Sequence, residues 1–130
     1  MASSSPVAPP ELPPNVAVRP ITERMVAIRG QNVILDSDLA AVYGVPTKRL
    51  NEQVRRHANR FPADFMFLLS SEEWEALRSQ IAAAKPGRHR HRRYLPYVFT
   101  EAGALMASGI LNSRKAIEMS VYLVRAIGLP

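Results

Sequence analysis

VILDSDLAAVYGVPTKRLNEQVRRHANRF, residues 33–61, is the stretch from which the organisation of the chain follows. A short apolar strand runs into Asp36 and Ser37, which can cap a short helix carrying Leu39, Ala40, Val42 and Tyr43, and Gly44 stops it. After the tight Gly44-Val45-Pro46 bend, Thr47 stands as an N-cap residue, and Leu50, Val54, Ala58 and Phe61 form one stripe of a second, longer amphipathic helix. Two short helices joined by a tight Gly-containing turn form the arrangement that, in DNA-binding proteins, lays the second helix in a major groove.

On a helical wheel, Lys48, Glu52, Arg55, Arg56 and Asn59 project opposite that apolar stripe, with Arg49, Gln53 and Arg60 flanking them. Arginine can bind guanine through two hydrogen bonds, and Asn or Gln can do the same for adenine, so these residue types suit base edges as well as phosphates. The blander alternative is a solvated surface helix in which Glu52 pairs with Arg56, worth only a few tenths of a kcal/mol. Residues 48–60 hold Lys48, Arg49, Arg55, Arg56 and Arg60 against Glu52, and residues 85–93 hold Lys85, Arg88, Arg90, Arg92 and Arg93 with no acid. The net charge of +6 therefore sits in one helix and one loop, and the remainder of the chain is net negative. Two such clusters on one side would make an electrostatic footprint for phosphates.

Working outward, Met25 to Ile28 and Asn32 to Leu35 flank Arg29-Gly30-Gln31 and read as a β-hairpin. Upstream, residues 1–20 are rich in Pro among Ser and Ala, a composition that sustains neither helix nor ladder, and are expected to be a disordered tail. Downstream, Pro62 ends the second helix, and Asp64 to Leu69 reads as a buried strand. Ser70 and Glu73 form a capping box for a helix that turns Trp74, Leu77 and Ile81 inward and runs to about Ala84. The loop from Lys85 to Arg93 leads to a strand, Tyr94 to Phe99, whose Pro96 marks it as an edge strand. Thr100 caps a helix with Ala102, Leu105, Met106, Gly109 and Ile110 on its apolar stripe, Asn112-Ser113 breaks it, and a last helix spans Arg114 to Ile127. That helix spreads apolar residues so widely that core, a further segment or a second subunit has to cover them. The elements add up to a small single α+β domain over residues 21–130, with a short hairpin, a helix-turn-helix-like pair, further short strands and about three more helices.

The chain of 130 residues contains no cysteine, which removes disulfides, thiolate metal sites and cysteine nucleophiles. Its pI near 10.3 points to an anionic partner. No apolar run reaches the roughly 20 residues that span a bilayer, so no membrane association is expected and the cytoplasm is the expected location. His89 and His91 resemble a pair of metal ligands, but no third histidine or cysteine nearby completes a tetrahedral set. Asp36 and Asp38 suit a helix start better than acid–base chemistry. Ser70 and Ser71 have no neighbouring histidine, and no Gly-rich phosphate loop occurs. Neither an enzyme nor a bound cofactor is expected.

The runs IRGQNVILDSDLAAVYGVPTKRLNEQVRRHANRFPADFMFLLSSEEWEALRSQIA and RRYLPYVFTEAGALMASGILNSRKAIEMSVYLVRA resemble the KilA-N DNA-binding domain of the N-terminal phage type, the ORF-six-N domain. The similarity covers about residues 21–127, with Val42 where the family usually has Leu and a loop, GRHRHRR, richer in histidine and arginine than usual. The family's central pattern falls on Tyr43, Gly44, Val45, Thr47, Lys48, Arg49, Leu50 and Asn51. The resemblance implies a non-enzymatic module of phage or prophage regulatory proteins, of the antirepressor or transcription-regulator kind, that binds duplex DNA. The candidate contacts are then Thr47, Lys48, Arg49, Asn51, Glu52, Gln53, Arg55, Arg56, Asn59 and Arg60 on the second helix. Lys85, Arg88, Arg90, Arg92, Arg93 and Tyr94 on the loop would track the backbone or enter an adjacent minor groove. A homodimer through the last helix and a phage repressor are the candidate protein partners. The rival reading is a protein-interaction module that captures a repressor and meets DNA only incidentally, and a second rival is an RNA binder using the same loop.

Overall fold

The hairpin at the start of the domain forms because Arg29 and Gly30 take positive φ, 55° and 73°, the geometry a two-residue turn needs to match strand twist. Strand β1 (Val26–Ile28) thus pairs antiparallel with β2 (Gln31–Leu35), Ile28 facing Gln31. The connection is one residue shorter than expected, since Gln31 belongs to the strand. The computed structural model describes residues 21–84 and 94–127, and the tail read for residues 1–20 and the loop read for residues 85–93 lie outside them. The described part begins with a single helical turn, α1 (Ile21–Arg24), whose Ile21 is wholly buried.

The sheet has four strands in the order β1-β2-β4-β3, all pairs antiparallel, with β3 at Met66–Leu68 and β4 at Tyr97–Phe99. Two expectations are corrected here. The strand containing Tyr97 to Phe99 is internal rather than an edge, lying between β2 and β3. Pro96 is compatible with this because it precedes the ladder, where its missing N–H is not required and its carbonyl accepts from Leu69 N–H at 3.1 Å. The buried strand expected over Asp64 to Leu69 shortens to Met66–Leu68 and lies at one edge of the sheet, with Leu68 45% exposed.

Both faces of the sheet are covered, which is why VIL at 33–35 is a continuous apolar run rather than an alternating one. Val33, Leu35 and Val98 turn to one face and pack with Leu69, Trp74 and Leu77, the last two supplied by α4 (Ser71–Ala84). The expected capping box starts this helix: Glu73 N–H donates to Ser70 Oγ at 3.1 Å and Ser70 N–H to Glu73 Oε1 at 2.8 Å. Ile34 and Phe99 turn to the opposite face and join the larger core. That core is built by α2 (Asp36–Tyr43), α3 (Thr47–Arg56), α5 (Glu101–Leu111) and α6 (Arg114–Ile127).

Helix α5 begins as expected, with Thr100 Oγ1 accepting from Gly103 N–H at 3.2 Å, and ends where Asn112 adopts a left-handed conformation at φ 51°. Its inward face is not the expected one. Gly103, Ala104, Ala107, Ser108 and Leu111 are buried, whereas Ala102 and Gly109 are exposed and Leu105, Met106 and Ile110 pack at the margin. Small side chains face inward because the helix lies very close to its neighbours: a Cβ on Gly103 would fall 1.8 Å from the Phe65 carbonyl oxygen.

Candidate nucleic-acid interface

The helix pair at the centre of the sequence forms with a sharp stop and an unusual start. Gly44 adopts φ 71°, and Gly44 N–H and Val45 N–H return to the carbonyls of Ala41 and Ala40 at 3.2 and 3.0 Å, closing the end of α2. At the start of α2, Leu35 occupies the N-cap position without a side-chain bond, and Asp36 is the first helical residue. Thr47 is likewise the first residue of α3, with Pro46 before it and no side-chain cap. Neither expected cap therefore forms as such. Proline before the helix supplies a pre-set φ and a carbonyl that accepts from Leu50 N–H at 3.2 Å.

Asp36, 1% exposed, instead ties three elements together. One carboxylate oxygen accepts from its neighbour Ser37 N–H at 2.7 Å; the other accepts from Asn51 Nδ2 of α3 at 3.1 Å and, more weakly, from Tyr97 N–H of β4 at 3.4 Å. The junction of α2, α3 and β4 thus turns on one buried carboxylate, which sequence inspection assigned to capping because its partners are distant in sequence. Asn51, a candidate DNA contact, is half-buried with its amide committed to this junction, and its Oδ1 is buried without a hydrogen-bond partner.

Leu50 and Val54 anchor α3 to the core. The helix ends earlier than its apolar spacing suggests. At His57, φ −119° and ψ 37° break the helix, and the ring Nδ1 lies 2.9 Å from the Gln53 carbonyl, which can only accept. A 3₁₀ turn, Ala58–Arg60, then carries the chain to Phe61, which is buried edge-on against Phe99 with ring centroids 6.0 Å apart. Ala58 is exposed, so it leaves the apolar stripe, and Asn59 and Arg60 belong to the 3₁₀ turn rather than to the α3 wheel.

What α3 and this turn present to solvent is a cationic surface. Lys48, Arg49, Glu52, Arg55, Arg56, Asn59 and Arg60 are exposed, while Thr47 and Gln53 are half-buried. Among the described residues none of these cations enters an ion pair, unlike Arg24 with Asp38, Arg29 with Glu73 and Arg78 with Glu75. The Glu52–Arg56 pairing weighed above does not form. Beside α3, a groove opens between Asn51, Arg55, Ala58 and Tyr97 over an apolar floor of Val54, Phe61 and Met66. A second, wider groove near Gly30 and Thr100 carries Asp64 and Glu101, the wrong sign for a phosphate. Of the second basic cluster, Tyr94 is 74% exposed, and Lys85, Arg88, Arg90, Arg92 and Arg93, with His89 and His91, lie outside the described residues.

A further link was not evident in sequence. Arg29 at the hairpin turn donates to both carboxylate oxygens of Glu73 at 2.7 and 2.8 Å, with its guanidinium 4.3 Å from the centre of the Phe67 ring. The Arg29 hydrogen bonds, then the Ser70 backbone N–H, pull the Glu73 carboxyl down to about 2. Tyr43, buried between helices, donates to the Ala104 carbonyl at 2.6 Å, and burial pushes its hydroxyl above the usual phenol range.

The fold is a small α+β module that exposes a cationic helix, and among the described residues no group of His, Asp or Glu could hold a metal ion. The chain belongs to the ORF6N domain family, whose model matches residues 23–110. This places it among domains of the KilA-N type. The match takes in the hairpin, the helix pair, the sheet and nearly all of α5, and stops before α6. No curated protein and no solved structure matches the chain. No helix among the described residues is long and apolar enough to cross a membrane.

Proposed function

We propose that the chain binds duplex DNA, with α3 as the element that enters the major groove and the basic segment Lys85 to Arg93 engaging neighbouring phosphates. The observation that carries this reading is the state of Lys48, Arg49, Arg55, Arg56 and Arg60: exposed, without ion-pair partners among the described residues, and on a helix and turn whose other side is locked into the core. A fixed helix holding unneutralised cations is pre-organised for an anionic groove, since no internal salt bridge has to break on binding. Membership of a phage-associated regulatory family supports the same reading. Glu52 among the cations is suited to accept from a cytosine amino group, and Arg55 and Arg56 to read guanine. The role in a phage or prophage regulator follows as part of the proposal.

Gel-shift titrations on DNA recovered by unbiased selection, at two salt concentrations, test it. Affinity is expected to fall steeply with salt, by close to one log unit per log unit of salt for each phosphate neutralised. Arg55→Ala with Arg56→Ala should flatten sequence preference, and Arg90→Ala with Arg92→Ala should weaken all sequences alike. Unchanged binding in both double variants refutes the model. The rival reading, capture of a phage repressor, draws on exposed Ile117 and Val121 of α6; co-purification with a repressor and no DNA recovered by selection would establish it instead.

A further inference from the structure

Helix α6 has two dissimilar faces. Ala116 and Met119 are wholly buried in the domain core. On the far side Ile117 and Val121 stand 51% and 50% exposed, and Val124 is half-buried. Their i, i+4, i+7 spacing lines them up as one apolar stripe about 60° wide. Glu118 and Arg125 run along a single flank of that stripe, two turns apart and too distant to pair within the helix. Among the described residues neither enters an ion pair.

We propose that α6 is the interface of a homodimer in which two copies pack antiparallel across a two-fold axis at Val121. The occupant is a second copy because the charges are self-complementary about that point. Glu118 lies three residues before Val121 and Arg125 four residues after it, on the same flank. Antiparallel packing therefore sets each Glu118 beside the partner's Arg125, twice per dimer, while Ile117 meets the partner's Val124. Arg114, at the start of α6 and nearly in line with Val121 on the wheel, comes to lie beside the end of the partner's α6, where a cation meets the negative pole of the helix. Parallel packing places each residue beside its own copy and leaves Glu118 and Arg125 two turns apart. A single helix pair is a small interface, so the dimer is weak and forms with concentration.

The test is sedimentation velocity on the full chain from about 1 µM to 1 mM, with circular dichroism to confirm that each variant folds. The wild-type chain is expected to shift from monomer to dimer across that range. Val121→Lys, which puts like charges together on the axis, should leave folded monomer throughout. Glu118→Arg and Arg125→Glu should each weaken association about tenfold, and the double reversal should restore it to within about threefold. A wild-type chain that stays monomeric, a dimer indifferent to Val121→Lys, or a double reversal that restores nothing each overturns the proposal. So does a monomer that uses Ile117 and Val121 to hold a different protein.

Discussion

Replacing Asp36 by Ala strikes the point where α2, α3 and β4 meet. The carboxylate is 1% exposed and accepts from Ser37 N–H at 2.7 Å, Asn51 Nδ2 at 3.1 Å and Tyr97 N–H at 3.4 Å. A hydrogen bond to a charged group contributes about 1.5–3 kcal/mol, and the longest contact counts for little. Two good bonds, together with donors left buried and unpaired, put the cost of Asp36→Ala at about 3–5 kcal/mol. Because Asn51 Oδ1 already has no partner, the variant would leave the whole amide without one. Asp36→Asn keeps an acceptor oxygen and should cost about half as much. Small domains have only about 5–15 kcal/mol in hand, so the alanine variant should melt far earlier than wild type. Urea denaturation followed by far-ultraviolet circular dichroism measures both variants. A loss below about 1 kcal/mol for Asp36→Ala would show that the buried carboxylate is not what seats α3.

Gly103→Ala should destabilise the domain by about 3 kcal/mol or more, because the new Cβ meets a backbone oxygen at 1.8 Å that cannot swing aside. Equilibrium unfolding reads this directly, and a neutral result would mean that α5 can retreat from Phe65. Glu73 gives a pH signature. Its carboxyl is held at about 2 against an ordinary 4.5, so the stability it contributes is complete above the ordinary value and is lost as pH falls from there toward 2. Denaturant midpoints of Glu73→Gln, measured from pH 6 to about pH 2, should lack this part of the acid dependence, and a slope identical to wild type would refute the assignment.

The cationic outer surface of α3 is held in place because the opposite side is fixed twice, by Leu50 and Val54 in the core and by Asn51 on Asp36. Asn51 therefore acts on any ligand through the placement of α3, whereas Lys48, Arg49, Arg55 and Arg56 are the exposed groups that can reach one directly.

Local chemistry determined a large share of this domain from sequence alone. The stop at Gly44, the Ser70–Glu73 box, the Thr100 cap and the break at Asn112 fall where residue type predicts them. Each depends on groups only a few residues apart, and the family resemblance rests on the same punctuation. The basic face of α3 was legible for the same reason, since helical periodicity separates it from Leu50 and Val54. Only the tertiary structure decided that Tyr97–Phe99 is an internal strand, that α5 turns its small residues inward, and that α3 ends at His57. It alone decided that Asp36, besides accepting from Ser37 N–H at the start of α2, also serves Asn51 and Tyr97. These features depend on how closely distant segments approach, as Gly103 shows against Phe65. Periodicity marks which side of an element is apolar, but close packing between segments distant in the chain selects the face that is buried and the polar group that ties them.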